Sequence, residues 1–137
     1  MTRAPRHDDT ELVATRSRAA LEARDLSALG ALLDQDVRWG GPEDTPETCH
    51  SRADVLSRLA RQLAAGVETQ VNEVVPGDEA ILLGLQVKRP VQGGYGRERS
   101  IHQVLSVRDR LMVDIRGTRA APRRHARLAS EAARHGR

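Results

Sequence analysis

Aromatic residues and cysteine are nearly absent from this chain of 137 residues, which has one Trp, one Tyr, one Cys and no Phe. Without Phe, the interior must be filled by Leu, Val, Ile and Ala, so we expect an aliphatic core. A single cysteine cannot form an intrachain disulfide, which removes the main reason to invoke an oxidising compartment. Cys49 is therefore either a small buried hydrophobe or a free thiol.

Long apolar segments are also missing. No run approaches the ~18 apolar residues that cross a bilayer, and the first residues lack the apolar segment of a signal peptide. We therefore expect a cytoplasmic protein with no membrane partner. The length suits one domain, which we place at residues 10–119, after a flexible N-terminal segment (1–9) and before an Arg-rich tail (120–137) that is partly helical or disordered.

The net charge is only +3, and Lys88 is the single lysine among 22 basic residues. Six arginines occur from Arg119 to Arg137, against one acidic residue, Glu131. Such a tail can contact phosphates, but a solvated tail is the simpler interpretation. Because the chain has neither a row of stacking aromatics nor a recognition motif, nucleic-acid binding is not expected.

Apolar residues at three- and four-residue spacing predict three helices. They cover residues 11–24, residues 26–33 and a stretch from Ser51 to a terminating Gly66. The predicted helix caps are Thr10 or Asp9, Asp25 and Ser51 in chain order. The residues that recur at helical spacing in the first helix are Leu12, Val13, Arg16, Ala19, Ala20 and Ala23.

A change of period after Gly66 predicts a sheet, because β-branched residues and alternating patterns replace the helical spacing. The predicted strands are residues 37–39, 67–75, 80–87, 100–107 and 111–116, with a wide hairpin loop at 88–99. The order of helices and strands indicates an α+β fold with helices on one face of an antiparallel sheet.

Three segments carry a family resemblance: RDLSALGALLDQDVRWGGP at 24–42, SRADVL at 51–56 and RDRLMVDIR at 108–116. Together they resemble the nuclear transport factor 2-like superfamily and, within it, the SnoaL-like group, over about residues 10–119. The resemblance implies a cystatin-like α+β roll, in which a cone-shaped curved antiparallel sheet wraps around three N-terminal helices. It also implies an apolar pocket and, often, a homodimer formed through the outer face of the sheet.

The resemblance does not select a reaction, because this fold hosts cyclases, isomerases, epoxide hydrolases, dehydratases and binding modules. The polyketide-cyclase members carry a catalytic acid and a partner His at places that correspond to Gly117 and Gln103 here. Neither side chain transfers a proton at neutral pH. The epoxide-hydrolase members use an Asp-Arg-Asp arrangement in the pocket, for which the last strand offers only Asp114 and Arg116.

Strand alternation argues against placing Asp114 and Arg116 in the pocket. Side chains along a strand alternate between the two faces of the sheet. The face that carries the apolar residues of the last two strands packs on the core, so the polar residues between them point to the outer face. The predicted core set is Ile101, Leu105, Val113 and Ile115, and the predicted outer set is His102, Asp114 and Arg116.

Cys49 and His50 precede a helix N-terminus, where a thiolate would be favoured. Adjacent residues of an extended chain point in opposite directions, so we do not expect them to form a catalytic pair. Nor do they form a recognisable metal site with the nearby acidic residues, and we expect no metal and no cofactor. Trp39 either covers a ligand pocket or fills the wide end of the core, and Gln103 is a buried amide that a ligand or a protein group could satisfy.

The leading hypothesis is a SnoaL-like domain that binds a small, mostly apolar ligand, with Trp39, Cys49, His50 and Gln103 at the pocket or its mouth. One alternative is a cyclase, isomerase or hydratase acting on a polyketide- or terpenoid-like substrate, so enzymatic activity is left open. A second is a non-catalytic dimerisation or scaffold module with a filled core, whose cavity would be below roughly 100 Å³ instead of several hundred. A homodimer would cover apolar outer-face residues, predicted to be Leu82, Val104 and Met112.

Overall fold

A computed structural model describes residues 6–118, so the Arg-rich tail at 120–137 lies outside the described residues. The fold is α+β, as the sequence predicts, with three helices packed on a curved sheet. The helices are α1 (Arg6–Ala23), α2 (Leu26–Gly30) and α3 (Arg52–Ala64). The strands are β1 (Leu33–Gly40), β2 (Glu68–Pro76), β3 (Ala80–Lys88), β4 (Pro90–Val91), β5 (Gly94–Tyr95), β6 (Arg99–Arg108) and β7 (Leu111–Gly117).

Five strands form the main sheet in the order β1-β7-β6-β3-β2. The pairs β2 with β3, β3 with β6, and β6 with β7 are antiparallel, whereas β1 pairs with β7 in parallel. The sheet is therefore mixed, which corrects the expectation of a wholly antiparallel one. β1 is joined to the rest of the sheet through α3, so no hairpin forces it to run antiparallel to its neighbour. β4 and β5 form a separate small hairpin inside the predicted loop.

The first helix begins earlier than predicted. It starts at Arg6, so residues 6–9, expected to be flexible, form its first turn with Asp8 and Asp9 favourably placed at the positive end of the helix. The prediction that Thr10 or Asp9 caps this helix is wrong. Thr10 is buried, and its hydroxyl hydrogen-bonds to the backbone carbonyl of Gly77, in the turn between β2 and β3.

The second helix is shorter than predicted because tertiary pairing takes over its last residues. Asp25 caps it as expected, accepting a hydrogen bond from the backbone N–H of Ala28 at 3.0 Å. The predicted helix extended to Leu33, but Leu33 pairs with Met112 of β7, and the Met112 N–H donates to the Leu32 carbonyl at 2.7 Å. The chain therefore enters β1 four residues before the predicted strand start.

The third helix agrees with its sequence signals. The Ser51 hydroxyl accepts a hydrogen bond from the Asp54 N–H at 3.1 Å, and Gly66 adopts a φ of +87° just beyond the helix end. Val55 is its most buried residue and packs into the core. The core itself is aliphatic, as the absence of Phe requires.

A β-bulge changes which residues of β7 face inward. The register of β6 and β7 shifts between Ser106 and Val107. As a result Met112, predicted for the outer face, is a core residue that is 2% exposed. Val113, predicted for the core, lies outside the core cluster and lines a groove together with Asp9 and Thr10 of α1. An extra residue on one strand reverses the alternation locally, and nothing in the apolar pattern announces it.

The cap at Ser51 allows a matched stability test. We expect Ser51→Ala to lower the free energy of unfolding by about 1 kcal/mol, because the first turn of α3 loses its side-chain acceptor. Ser57→Ala makes the same chemical change at an exposed position within α3 and is expected to leave stability unchanged or slightly higher. Urea unfolding followed by circular dichroism measures both, and equal effects would contradict the assignment of Ser51 as the cap.

Candidate functional site

The helices do not fill the concave side of the sheet, and a cavity of about 200 Å³ remains between them. Register shifts in β1, β2 and β6–β7 accompany the bending that creates this space. The cavity exceeds the roughly 100 Å³ expected of a filled core. Its walls are mainly aliphatic and come from both layers. The larger buried side chains among them are Leu29, Leu33, Leu83, Leu85, Leu105, Met112 and Ile115.

Among residues 6–118, the charged side chains that line the cavity lie where it opens. Its ionisable lining residues among those described are Arg24, Asp25 and Arg89, and all three are exposed. Asp25 is committed to capping α2. Arg89 also lines a neighbouring groove beside α3, together with Arg58 and Arg61. Glu47 lines that groove as well. The opening is therefore bordered by charged groups, most of them guanidinium groups, whereas the interior is mainly apolar.

The small hairpin β4–β5 is held near this opening by Tyr95. The Tyr95 hydroxyl donates a hydrogen bond to Glu68 Oε2 at 3.0 Å, which fixes the hairpin to the start of β2. This hydrogen bond to a carboxylate raises the pKa of Tyr95 above its usual value. Tyr95 itself is exposed and does not line the cavity.

Gln103 and Ser17 are two of the neutral polar side chains that line the cavity. Gln103 is partly buried on β6. Ser17 is 1% exposed on α1, and its hydroxyl oxygen has no hydrogen-bond partner within residues 6–118. Ser17 is not among the site residues predicted from the sequence. The signal that could have found it is its spacing from Val13 and Ala20, which places all three on one helical face.

The four residues predicted for the ligand site separate into two pairs. Trp39 and Gln103 line the cavity, whereas Cys49 and His50 do not. Cys49 is 5% exposed because its backbone pairs with that of Trp39 through two hydrogen bonds of 2.9 and 3.0 Å. His50 is exposed, with its Nε2 3.8 Å from Asp44 Oδ2. Burial of one and exposure of the other agrees with the expectation that they point in opposite directions.

An Asp-Arg-Asp arrangement does exist, but outside the cavity. Arg38 lies 2.6 Å from Asp44 and 3.2 Å from Asp114, and Arg116 lies 3.4 Å from Asp114. The hydrogen bond from Arg38 lowers the pKa of Asp44. None of these residues lines the cavity, in agreement with the strand alternation.

His102 is also on the outer face, although it is largely buried. It lies 3.7 Å from Glu73 across Gly84, whose missing side chain leaves room for both. A Cβ at Gly84 would lie 2.8 Å from Cγ of Glu73. The predicted outer position of His102 therefore agrees with the register, which pairs it with Gly84 and not with the inward-facing Leu83.

Within the described part of the chain, no three His, Cys, Asp or Glu residues are grouped so as to hold a metal ion. The helices of that part include none with the length and apolar character needed to span a membrane.

No protein-family model matches the chain, and neither does any curated protein. Solved structures do match. A nuclear transport factor 2-like protein of unknown function from Burkholderia pseudomallei is 19% identical, with a TM-score of 0.65 over 89% of this chain and 98% of the other. A Mycobacterium tuberculosis protein in complex with estradiol-17β-hemisuccinate is 19% identical, with a TM-score of 0.65 over 82% and 94% of the two chains.

An LEH-like epoxide hydrolase from Mycobacterium tuberculosis is 15% identical, with a TM-score of 0.66 over 84% of this chain and 81% of the other. These similarities extend over most of each chain, and the identities are low. They confirm the architecture that the sequence resemblance implies: the protein has the nuclear transport factor 2-like α+β fold.

Proposed function

We propose that this protein binds a small, mostly apolar molecule in the cavity between its helices and its sheet. The observation that carries the proposal is the cavity itself: about 200 Å³ with mainly aliphatic walls, opening between exposed charged residues. Ligand pockets typically combine such walls with a few polar groups that orient the ligand. Trp39 and Gln103 are the sequence-predicted residues that we retain as ligand contacts.

One structural neighbour supports this proposal by analogy. The Mycobacterium tuberculosis protein of the same fold was solved with estradiol-17β-hemisuccinate, which has a large apolar body. The low identity means that the analogy concerns the use of the fold and not the particular ligand.

No reaction is proposed. A cyclase, isomerase or hydratase would need a proton-transfer group at the bound substrate. The neutral polar side chains that line the cavity among the described residues are those of Ser17, Gln62, Thr69 and Gln103, and hydroxyl and amide groups do not transfer protons at neutral pH. A cytoplasmic location stays a prediction.

We also propose a homodimer formed through the outer face of the sheet. With Met112 in the core, the apolar row across this face consists of Val75, Leu82 and Val104, which are paired on neighbouring strands. Val75 is 37% exposed, and Leu82 is already buried within one chain. The row is continued by Arg116 on β7, so the contact would be partly polar.

Filling the cavity tests the binding proposal. Ala20 lines the cavity on α1, and its neighbour Ala19 is exposed. We expect Ala20→Leu to weaken binding of N-phenyl-1-naphthylamine, a neutral fluorescent apolar probe, by at least about tenfold, because the added side chain occupies the ligand's space. Fluorescence titration measures this. Ala19→Leu should bind the probe like the unmodified protein, and equal binding by both variants would contradict the proposed site.

The dimer is tested by light scattering at micromolar concentration. We expect a mass of two chains for the unmodified protein and one chain for Val75→Asp, since a charge in an apolar contact is costly to bury. Val91→Asp places the same charge on the exposed β4–β5 hairpin and should leave the dimer intact. A monomer in the unmodified protein would refute this proposal and leave the cavity unaffected.

A further inference from the structure

The hydroxyl of Ser17, which has no hydrogen-bond partner among the described residues, is the feature of the cavity that most clearly indicates a ligand. A serine within a helix commonly donates to the carbonyl four residues earlier, but within residues 6–118 Ser17 Oγ has no hydrogen-bond partner. Native structures pair the large majority of such groups, so an isolated one needs an explanation. Because Ser17 lines the cavity, a ligand atom can supply the missing partner.

The ligand atom that suits Ser17 is neutral. The described cavity residues nearest to it along α1, at the next turn, are Ala20 and Leu21, and the charged lining residues are confined to the opening. A charged atom beside Ser17 would be desolvated without a counter-charge, which is costly, whereas a ligand hydroxyl or carbonyl needs only one hydrogen bond. The inner end of the ligand is therefore assigned a hydroxyl or carbonyl group.

The opening of the cavity, unlike its interior, is positively charged. Arg24 and Arg89 line it, and the guanidinium of neither forms a hydrogen bond or ion pair with a side chain of the described residues. The acidic residues described near the opening each accept another hydrogen bond: Asp25 from the Ala28 N–H, and Glu68 from the Tyr95 hydroxyl. Glu47, which lines the groove that Arg89 shares, accepts from the Thr45 hydroxyl at 3.2 Å. Two cations without a carboxylate partner favour an anionic group on the ligand.

The helix gives the distance between these two ends. Ser17, Ala20 and Leu21 line the cavity from one face of α1, and Arg24, with a φ of +54°, lines it directly after the helix ends at Ala23. Seven residues span about 10 Å along a helix axis. We infer that the ligand is an elongated apolar molecule with a hydroxyl or carbonyl against Ser17 and an acidic group, about 10 Å away, at Arg24 and Arg89. This inference rests on the proposed binding function and names the class of molecule bound.

Three naphthalene derivatives test the two ends separately. 6-Hydroxy-2-naphthoate has a hydroxyl and a carboxylate at opposite ends of a rigid apolar body, whereas 2-naphthoate lacks the hydroxyl and 2-naphthol lacks the carboxylate. Each is measured by its ability to displace N-phenyl-1-naphthylamine from the full chain. We expect the doubly substituted compound to bind about fivefold more tightly than either of the others, the gain typical of one added hydrogen bond or ion pair.

Variants assign each gain to a residue. Ser17→Ala should abolish the advantage of 6-hydroxy-2-naphthoate over 2-naphthoate and leave its advantage over 2-naphthol. The double variant Arg24→Gln with Arg89→Gln should do the reverse. Ser57→Ala and Arg16→Gln make the same changes at exposed positions outside the cavity and should alter neither ratio.

The outcomes separate this inference from the proposal beneath it. If N-phenyl-1-naphthylamine does not bind at all, the proposed function is overturned. If it binds and the three derivatives displace it equally, or if Ser17→Ala and the double arginine variant leave the ratios unchanged, the cavity binds apolar molecules but the assigned ligand class is wrong. Ser17→Ala removes an unpaired polar group and should fold normally, which thermal unfolding verifies.

Discussion

The small size of the side chains on the inner face of α1 is the constraint on which the rest of the structure depends. Ala14, Ser17 and Ala20 are buried on this helix, and the two that line the cavity, Ser17 and Ala20, are small. A Leu or Phe at these places would close the gap between the helix and the sheet. Because the chain has no Phe and only one Trp, the gap persists as the cavity.

The same gap explains how polar groups are tolerated inside an otherwise aliphatic core. An unpaired buried hydroxyl costs about 1–3 kcal/mol. The fold sustains this cost at Ser17 because the neighbouring Val13, Ala14 and Ala20 pack in the hydrophobic core and Thr10 ties the start of the helix to Gly77. A ligand that hydrogen-bonded to Ser17 would remove this cost. The Ser17 hydroxyl, which destabilises the empty protein, would therefore favour the ligand-bound protein.

The outer face of the sheet has a separate electrostatic organisation. Arg38 joins Asp44, in the loop after β1, to Asp114 on β7, and so supports the parallel pairing of the two strands from outside. The predicted cap at Ser51 and the Trp39–Cys49 backbone pairing then direct the chain from β1 into α3. These contacts hold Trp39 at the cavity wall, while Cys49 and His50 are directed away from it, which shows why proximity in sequence did not bring the four predicted site residues to one place.

Local signals in the sequence were enough to determine the α+β class, the caps Asp25 and Ser51, the terminator Gly66 and the approximate strands, because each depends on side chains within a few residues. They failed where distant segments compete for the same residues. Leu32 and Leu33 have a helical spacing but bond to β7, and the bulge exchanges the inward and outward positions of Met112 and Val113. The buried face of α1 includes the polar residues Thr10 and Ser17, so its apolar pattern is incomplete. Arg16 and Ala19, which have the predicted spacing, are exposed. The cavity and its unpaired hydroxyl belong to this second group, since empty space between two layers is a property of how they pack and has no local pattern in the chain.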